Sequence, residues 1–248
     1  METITLDINS DCNLKCGFCY RQNSDKQISL QDLAVITRKF QEAKNFQIGG
    51  GEPLLHPDCM EILDFLLKNG KKVHLSTNGT IKKEDLLNYK GENIGFQVSL
   101  HAGNRETFRE VTGEDLFERA VANLSFFKEI SDTIISSVIY QTNYQECGAI
   151  LDIASNYELP IRITLPSIIG KGKNIRVLDA QKIKDLTNFL ICEKEKRNIP
   201  ILSPLLEDNV SCMYFFTHYA LGSNTCVECK DRAYISPDLK ITKCEFVK

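Results

Sequence analysis

At 248 residues the chain is longer than one small domain and shorter than two, and its 42% hydrophobic content is enough to fill one large core. Thirty basic against 33 acidic residues give a net charge of -3, which excludes a broad polyanion-binding surface and leaves nucleic acid out of the expected partners. No apolar run approaches the roughly 18 residues of a membrane span, and Met1-Glu2-Thr3 opens without a basic and apolar export signal, so the expected location is cytoplasmic with no membrane partner. Ten cysteines in such a chain point to metal or redox chemistry over disulfides.

Short apolar runs alternate with longer helical patterns. Strands are expected near 3 to 9, 45 to 49, 71 to 77, 93 to 100, 133 to 140 and 160 to 165, each rich in Ile, Val, Leu, Phe or Thr. Helices are expected near 29 to 43, 58 to 69, 81 to 89, 114 to 130, 145 to 157 and 178 to 197, with Asn69-Gly70 as a helix stop. In the first helix Leu30, Leu33, Ile36, Thr37 and Phe40 share one side and Gln31, Asp32, Arg38 and Lys39 the other, as packing on a sheet requires. Repeated β-then-α units predict an α/β fold with a parallel sheet and right-handed crossovers over residues 1–200. After Pro200 the helical period stops, so residues 201–248 are read as a separate, small, cysteine-rich region. A segment of that size buries little core alone and calls for a metal or a disulfide.

Directly after the first strand comes Asp11-Cys12-Asn13-Leu14-Lys15-Cys16-Gly17-Phe18-Cys19-Tyr20, which puts three cysteines at the carboxyl end of that strand, where parallel sheets bind ligands. Structural zinc takes four protein ligands, commonly as two pairs, whereas three clustered thiolates suit a cubane iron-sulfur cluster that keeps one iron open. This Cys-x3-Cys-x-aromatic-Cys pattern, with Phe18 in the aromatic slot, resembles the radical S-adenosylmethionine (SAM) enzymes. Three further segments resemble that family in the same order. Gly49-Gly50-Gly51-Glu52-Pro53 is similar to the segment that binds the SAM amino group: glycines expose carbonyls and Glu52 supplies a negative charge for an ammonium. Leu75-Ser76-Thr77-Asn78-Gly79 looks like the segment near the SAM ribose, and Gln97-Val98-Ser99-Leu100-His101 resembles the segment whose serine contacts the ribose or carboxylate. The resemblance covers roughly residues 4 to 175. It implies a partial (β/α)6 radical SAM barrel, a [4Fe-4S] cluster with an open iron on Cys12, Cys16 and Cys19, and SAM positioned by Phe18, Gly50, Gly51, Glu52, Thr77, Asn78 and Ser99. Many relatives carry aspartate where His101 stands, so His101 either faces substrate or serves as an ordinary structural histidine.

Near the C-terminus, Cys226-x2-Cys229-x14-Cys244 encloses a hairpin pattern, Ala233-Tyr234-Ile235-Ser236-Pro237-Asp238 followed by Lys240-Ile241-Thr242-Lys243, which holds the last cysteine near the first two. With Cys212 added, ligand count alone allows a zinc site. The segment also resembles the twitch and SPASM regions of radical SAM enzymes, where Ile-Ser-Pro-Asp-Gly precedes a ligand cysteine. That resemblance implies a second [4Fe-4S] cluster on Cys212, Cys226, Cys229 and Cys244. Leu239 replaces the family's glycine, so a positive φ there would be strained. A full SPASM domain carries several more cysteines, so one auxiliary cluster of the twitch type is expected. The spacing is also similar to that of the molybdenum-cofactor GTP cyclases, whose three cysteines leave an iron for substrate, whereas Cys212 argues for a filled site. Cys59, Cys147 and Cys192 are expected in the core, with Cys147, at the start of a helix after the fifth strand, a candidate hydrogen donor.

The resemblance implies reductive cleavage of SAM to a 5'-deoxyadenosyl radical that removes hydrogen from a substrate, with a low-potential electron donor such as flavodoxin or ferredoxin as partner. Auxiliary-cluster relatives mostly modify ribosomally made peptides, so a peptide-modifying enzyme (crosslink or epimerisation) is the leading expectation. Because the first strand begins close to Met1, either a separate leader-binding protein is expected as second partner or the substrate is small. The alternatives are oxidation of a small molecule such as an aminocyclitol or nucleotide and, from another class, a zinc-stabilised binding module, which leaves Gly50-Gly51-Glu52 and Thr77-Asn78-Gly79 unexplained.

Overall fold

A computed structural model describes residues 2–21, 24–206 and 232–242 of the chain. Its strands are β1 (Thr3–Asp7), β2 (Asn45–Gly49), β3 (Lys72–Thr77), β4 (Ile94–Ser99), β5 (Thr133–Val138), β6 (Ile161–Thr164), β7 (Ile201–Leu202), β8 (Arg232–Ile235) and β9 (Ile241–Thr242). Its helices are α1 (Leu30–Lys39), α2 (Cys59–Lys68), α3 (Arg105–Thr112), α4 (Phe117–Ile130), α5 (Cys147–Asn156) and α6 (Ala180–Lys196). One sheet takes the order β7-β6-β5-β4-β3-β2-β1-β8-β9, parallel throughout except for the β8–β9 hairpin. The six expected strands are β1 to β6.

Alternation along the strands decides the architecture. Ile4, Leu6, Phe46, Ile48, Val73, Leu75 and Val98 are fully buried. Their neighbours on the opposite face, Thr5 beside Gln47 beside His74, and Ser99 beside Ser136, are half-exposed and polar. A doubly wound parallel sheet buries both faces and reads as continuous apolar runs. Here helices cover one face, and the polar face lines the lumen of a partial barrel, whose linear strand order leaves β7 and β9 as edges among the described residues.

Local sequence sets the helix ends. Ser29 caps α1 reciprocally with Asp32: Asp32 N–H donates to Ser29 Oγ at 3.1 Å and Ser29 N–H to Asp32 Oδ2 at 3.0 Å. Leu33 and Ile36 are buried as expected, whereas Leu30 is 37% exposed at a groove shared with α2. The Asn69-Gly70 stop is present, with Gly70 at φ 70°. The helix expected at 81 to 89 is instead a 3-10 turn over Glu84–Tyr89, because its buried residues Leu86 and Tyr89 are spaced at the repeat of three. Helix α3 is unanticipated. Its signals are the Asn104 cap, whose Oδ1 accepts from Thr107 N–H at 2.9 Å, and Gly113 at φ 77°.

After Pro200 the chain adds strands to the same sheet. Strand β8 runs parallel to β1, with Tyr234 opposite Thr5 and Ile235 opposite Leu6, and Ala233 and Ile235 enter the common core. The expected hairpin is β8–β9; it closes by Leu239 N–H donating to the Ser236 carbonyl at 2.9 Å, with Leu239 at φ 63°. A left-handed L-residue costs about 1–2 kcal/mol. Leu239→Gly is therefore expected to raise stability by about 0.5–1 kcal/mol, once glycine's larger unfolded-state entropy is set against the relief, and to appear as a higher urea midpoint at unchanged slope. Cys212, Cys226, Cys229 and Cys244 lie outside the described residues. Among the described residues no helix is long and apolar enough to cross a membrane.

Candidate functional site

Cys12, Cys16 and Cys19 lie on the loop between β1 and α1, and three neighbouring segments hold that loop. From the end of β2, Gly51 N–H donates to the Asn9 carbonyl at 3.0 Å and Glu52 N–H to the Asp11 carbonyl at 2.7 Å. At the end of α3, the Thr112 and Val111 carbonyls accept from Lys15 and Gly17 N–H at 2.7 and 3.2 Å. From the loop after β6, Lys171 N–H donates to the Cys19 carbonyl at 2.9 Å. Glycine makes these approaches feasible: a Cβ at Gly51 would stand 2.2 Å from the Asp11 carbonyl oxygen, and one at Gly170 2.6 Å from that of Tyr20. The 3-10 turn Gly170–Asn174 thus buttresses the cysteine loop, a role that sequence reasoning misses although Gly170-Lys171-Gly172 signals it.

Cys12 is exposed, and Cys16 and Cys19 are half-buried. Burial first, then the neighbouring Cys19 and Cys12, push the Cys16 thiol up to about 12. Among the described residues, no three cysteine, histidine or carboxylate side chains are already drawn together as metal ligands. The donor chemistry is what fits a cluster. Three thiolates on one short loop repel one another, and bound metal charge relieves that repulsion and keeps all three deprotonated.

Phe18 lies edge-on to His101, ring centroids 4.7 Å apart, and 5.7 Å from Tyr140. His101 Nδ1 accepts from Val138 N–H at 3.1 Å, which places the ring proton on Nε2, and the His101 carbonyl accepts from Asn143 Nδ2 at 2.7 Å. Burial lowers the His101 pKa to about 4, so the ring is neutral. These contacts suit a structural histidine that stiffens the wall behind Phe18.

Glu52 has no exposed surface. Its Oε1 accepts from Thr77 Oγ1 at 2.8 Å and Leu54 N–H at 3.1 Å, and its Oε2 from Asn78 N–H at 2.7 Å. The carboxylate therefore ties the ends of β2 and β3 together, while burial outweighs these bonds and raises its pKa to about 7. Asn78 extends the tie to the cysteine loop. Its Nδ2 donates to Asn13 Oδ1 at 2.8 Å, and its Oδ1 accepts from Thr80 N–H and Oγ1 at 2.9 and 2.6 Å. Gly50 packs on Asn9, whose Nδ2 donates to the Glu52 carbonyl at 3.0 Å. Ser99 ends β4, next to β3, half-exposed on the lumen face. The segments expected to bind SAM thus stand at the carboxyl ends of adjacent strands.

Of the remaining cysteines among the described residues, Cys59 and Cys147 are buried in the core as expected. Cys192 is exposed, which corrects the expectation: Leu186 and Leu190 define the buried stripe of α6, and two residues on is about 200° further round the helix.

A family model described as the Radical SAM superfamily matches residues 7–154. The chain is 29% identical over 170 residues to a probable GTP 3',8-cyclase of Saccharolobus islandicus (strain Y.N.15.51 / Yellowstone #2), covering 63% of this chain and 54% of that protein. It is 26% identical over 242 residues to a probable GTP 3',8-cyclase of Metallosphaera sedula, covering 92% of this chain and 72% of the relative. Among solved structures, Streptococcus suis SuiB bound to precursor peptide SuiA matches with a TM-score of 0.78 at 18% identity, over 98% of this chain and 59% of that chain. At that identity the likeness is one of fold. The chain spans about half the length of the first curated relatives it matches.

Proposed function

The chain belongs to the radical SAM superfamily, and on that footing we propose that it cleaves SAM reductively and abstracts hydrogen from a polar substrate in the barrel lumen, with a ribosomally made peptide as the leading substrate. The observation that carries this reading is the bracing of the Cys12–Cys19 loop onto the Gly51 and Asn78 segments. Cys12, Cys16 and Cys19 hold the [4Fe-4S] cluster through three thiolates. When bound, the cluster and SAM together supply a 5'-deoxyadenosyl radical. The chain's own residues position and shield: Gly50 and Gly51 present carbonyls to the methionine ammonium with the Glu52 charge behind them, and Thr77, Asn78 and Ser99 place the ribose and carboxylate. Phe18, His101 and Tyr140 pack together as an aromatic wall on one side of the loop.

Ionised Glu52 attracts the ammonium and protonated Glu52 does not. With its pKa near 7, SAM affinity is expected to fall about tenfold from pH 8 to pH 6, as measured by calorimetry on unreduced protein.

The substrate reading is supported by the lumen. Thr5, Gln47, His74, Gln97 and Arg162 give it a polar lining, in which Arg162 Nη1 donates to Gln97 Oε1 at 3.2 Å. Burial first, then the charges of Lys72 and Arg162, lower the His74 pKa against the opposing charge of Asp132. A peptide is supported by SuiB, solved with its precursor peptide on a fold that spans 98% of this chain. A nucleotide is the second reading, supported by the cyclase names of the curated relatives. The proposed auxiliary [4Fe-4S] cluster on Cys212, Cys226, Cys229 and Cys244 is supported by the β8–β9 hairpin, which turns the chain back between Cys229 and Cys244. A flavodoxin or ferredoxin supplies the electron. Anaerobic incubation with SAM, reductant and either candidate precursor peptides or GTP, followed by mass spectrometry, tests the reading. A modified peptide formed together with 5'-deoxyadenosine is expected, turnover of GTP alone would favour the nucleotide, and no 5'-deoxyadenosine under any condition would overturn both.

A further inference from the structure

Arg21 stands two residues beyond Cys19, and its guanidinium forms an ion pair with Asp7, the last residue of β1. Asp7 is 2% exposed. On its other side, Tyr234 of β8 donates its hydroxyl hydrogen to Asp7 Oδ2 at 2.8 Å. The Arg21 guanidinium also lies against the Tyr20 ring, Cζ 5.1 Å from the centroid. Gly49 leaves room for the pair: a Cβ there would stand 3.0 Å from both Arg21 Nη2 and Asp7 Oδ1. The segment that follows the cysteines is therefore fastened, through one buried carboxylate, to the strand at the far side of β1, beside the first glycine of the Gly49–Gly51 run.

A buried ion pair is poor evidence of net stabilisation, because desolvation consumes most of its attraction; its better-attested use is to specify one arrangement. The arrangement specified here is that of the cysteine loop relative to β8. Arg21 also acts on the other carboxylate at this end of the sheet, favouring the ionised form of Glu52. Asp7 holds the guanidinium in one place, and Tyr234 holds Asp7.

We propose that Tyr234, Asp7 and Arg21 are positioning residues for SAM: strand β8, by way of Asp7, fixes the guanidinium that keeps the cysteine loop and the Gly49–Gly51 segment in register. The proposal rests on reading Cys12–Cys19 as the cluster loop. It also gives β8, which lies between Cys229 and Cys244 in sequence, a direct influence on the SAM end of the barrel.

The test uses the full chain, anaerobically reconstituted, and reads SAM affinity on unreduced protein beside iron content and melting temperature. Tyr234→Phe removes one hydrogen bond to a carboxylate and is expected to weaken SAM binding about five- to tenfold at unchanged iron content. Arg21→Lys keeps the charge but loses the planar fork, and is expected to weaken binding at least as much. The double variant is expected to be no worse than Arg21→Lys alone, because the two residues act through one carboxylate. Lower melting temperatures with wild-type SAM affinity would reduce the three residues to a structural role and overturn the proposal, as would multiplicative losses in the double variant. Wild-type protein that binds no SAM would overturn the cluster-loop reading itself, and this proposal with it.

Discussion

Glutamine in place of Glu52 is expected to weaken SAM binding about tenfold at pH 8 and to abolish its pH dependence, because the variant has no charge to gain. The same substitution has a signature in protein that contains no cluster. Burial raises the Glu52 pKa from 4.5 to about 7 in the folded chain. The stability contributed by taking up a proton is thus fully present below the unfolded value, and it is lost as pH rises through the folded one. The loss is about 3 kcal/mol between roughly pH 4.5 and pH 8. Glutamine does not titrate, and its amide nitrogen confronts the Asn78 or Thr77 donor that an ionised carboxylate satisfies. Glu52→Gln should therefore be less stable than wild type at pH 5, with a gap that narrows toward pH 8 in urea unfolding. A gap independent of pH would show that Glu52 does not titrate in this range.

The triple substitution Cys12→Ala, Cys16→Ala and Cys19→Ala is expected to abolish 5'-deoxyadenosine formation and to lower bound iron from about eight to about four atoms per chain, the remainder belonging to the proposed auxiliary cluster. None of the three cysteines is buried in the core, so the variant should keep its fold. Iron content equal to that of wild type would place the metal elsewhere in the chain.

Strands β1 to β6 were legible because each is a short run of buried apolar residues on one face, bounded by turn residues. The four motifs were legible because ligand-binding loops follow strand ends. Helix α3 escaped notice because Phe108 and Val111, both buried, are its only apolar residues, and its cap and Gly113 were the better guides; it holds the cysteine loop through Val111 and Thr112. The pairing of β8 with β1 had no local signal, since a strand's partner is set by tertiary packing. For the same reason the Asp7–Arg21–Tyr234 link joins residues that sequence leaves 227 positions apart. Leu239 was legible in the opposite sense: the missing glycine marked a position that does adopt a positive φ.

The central claim is tested most directly by electron paramagnetic resonance of the anaerobically reconstituted, reduced chain before and after addition of SAM. A reduced cubane signal that shifts on SAM addition, absent when Cys16 is alanine, is the predicted result. A chain that takes up zinc but no iron, or a signal indifferent to SAM, would contradict the account.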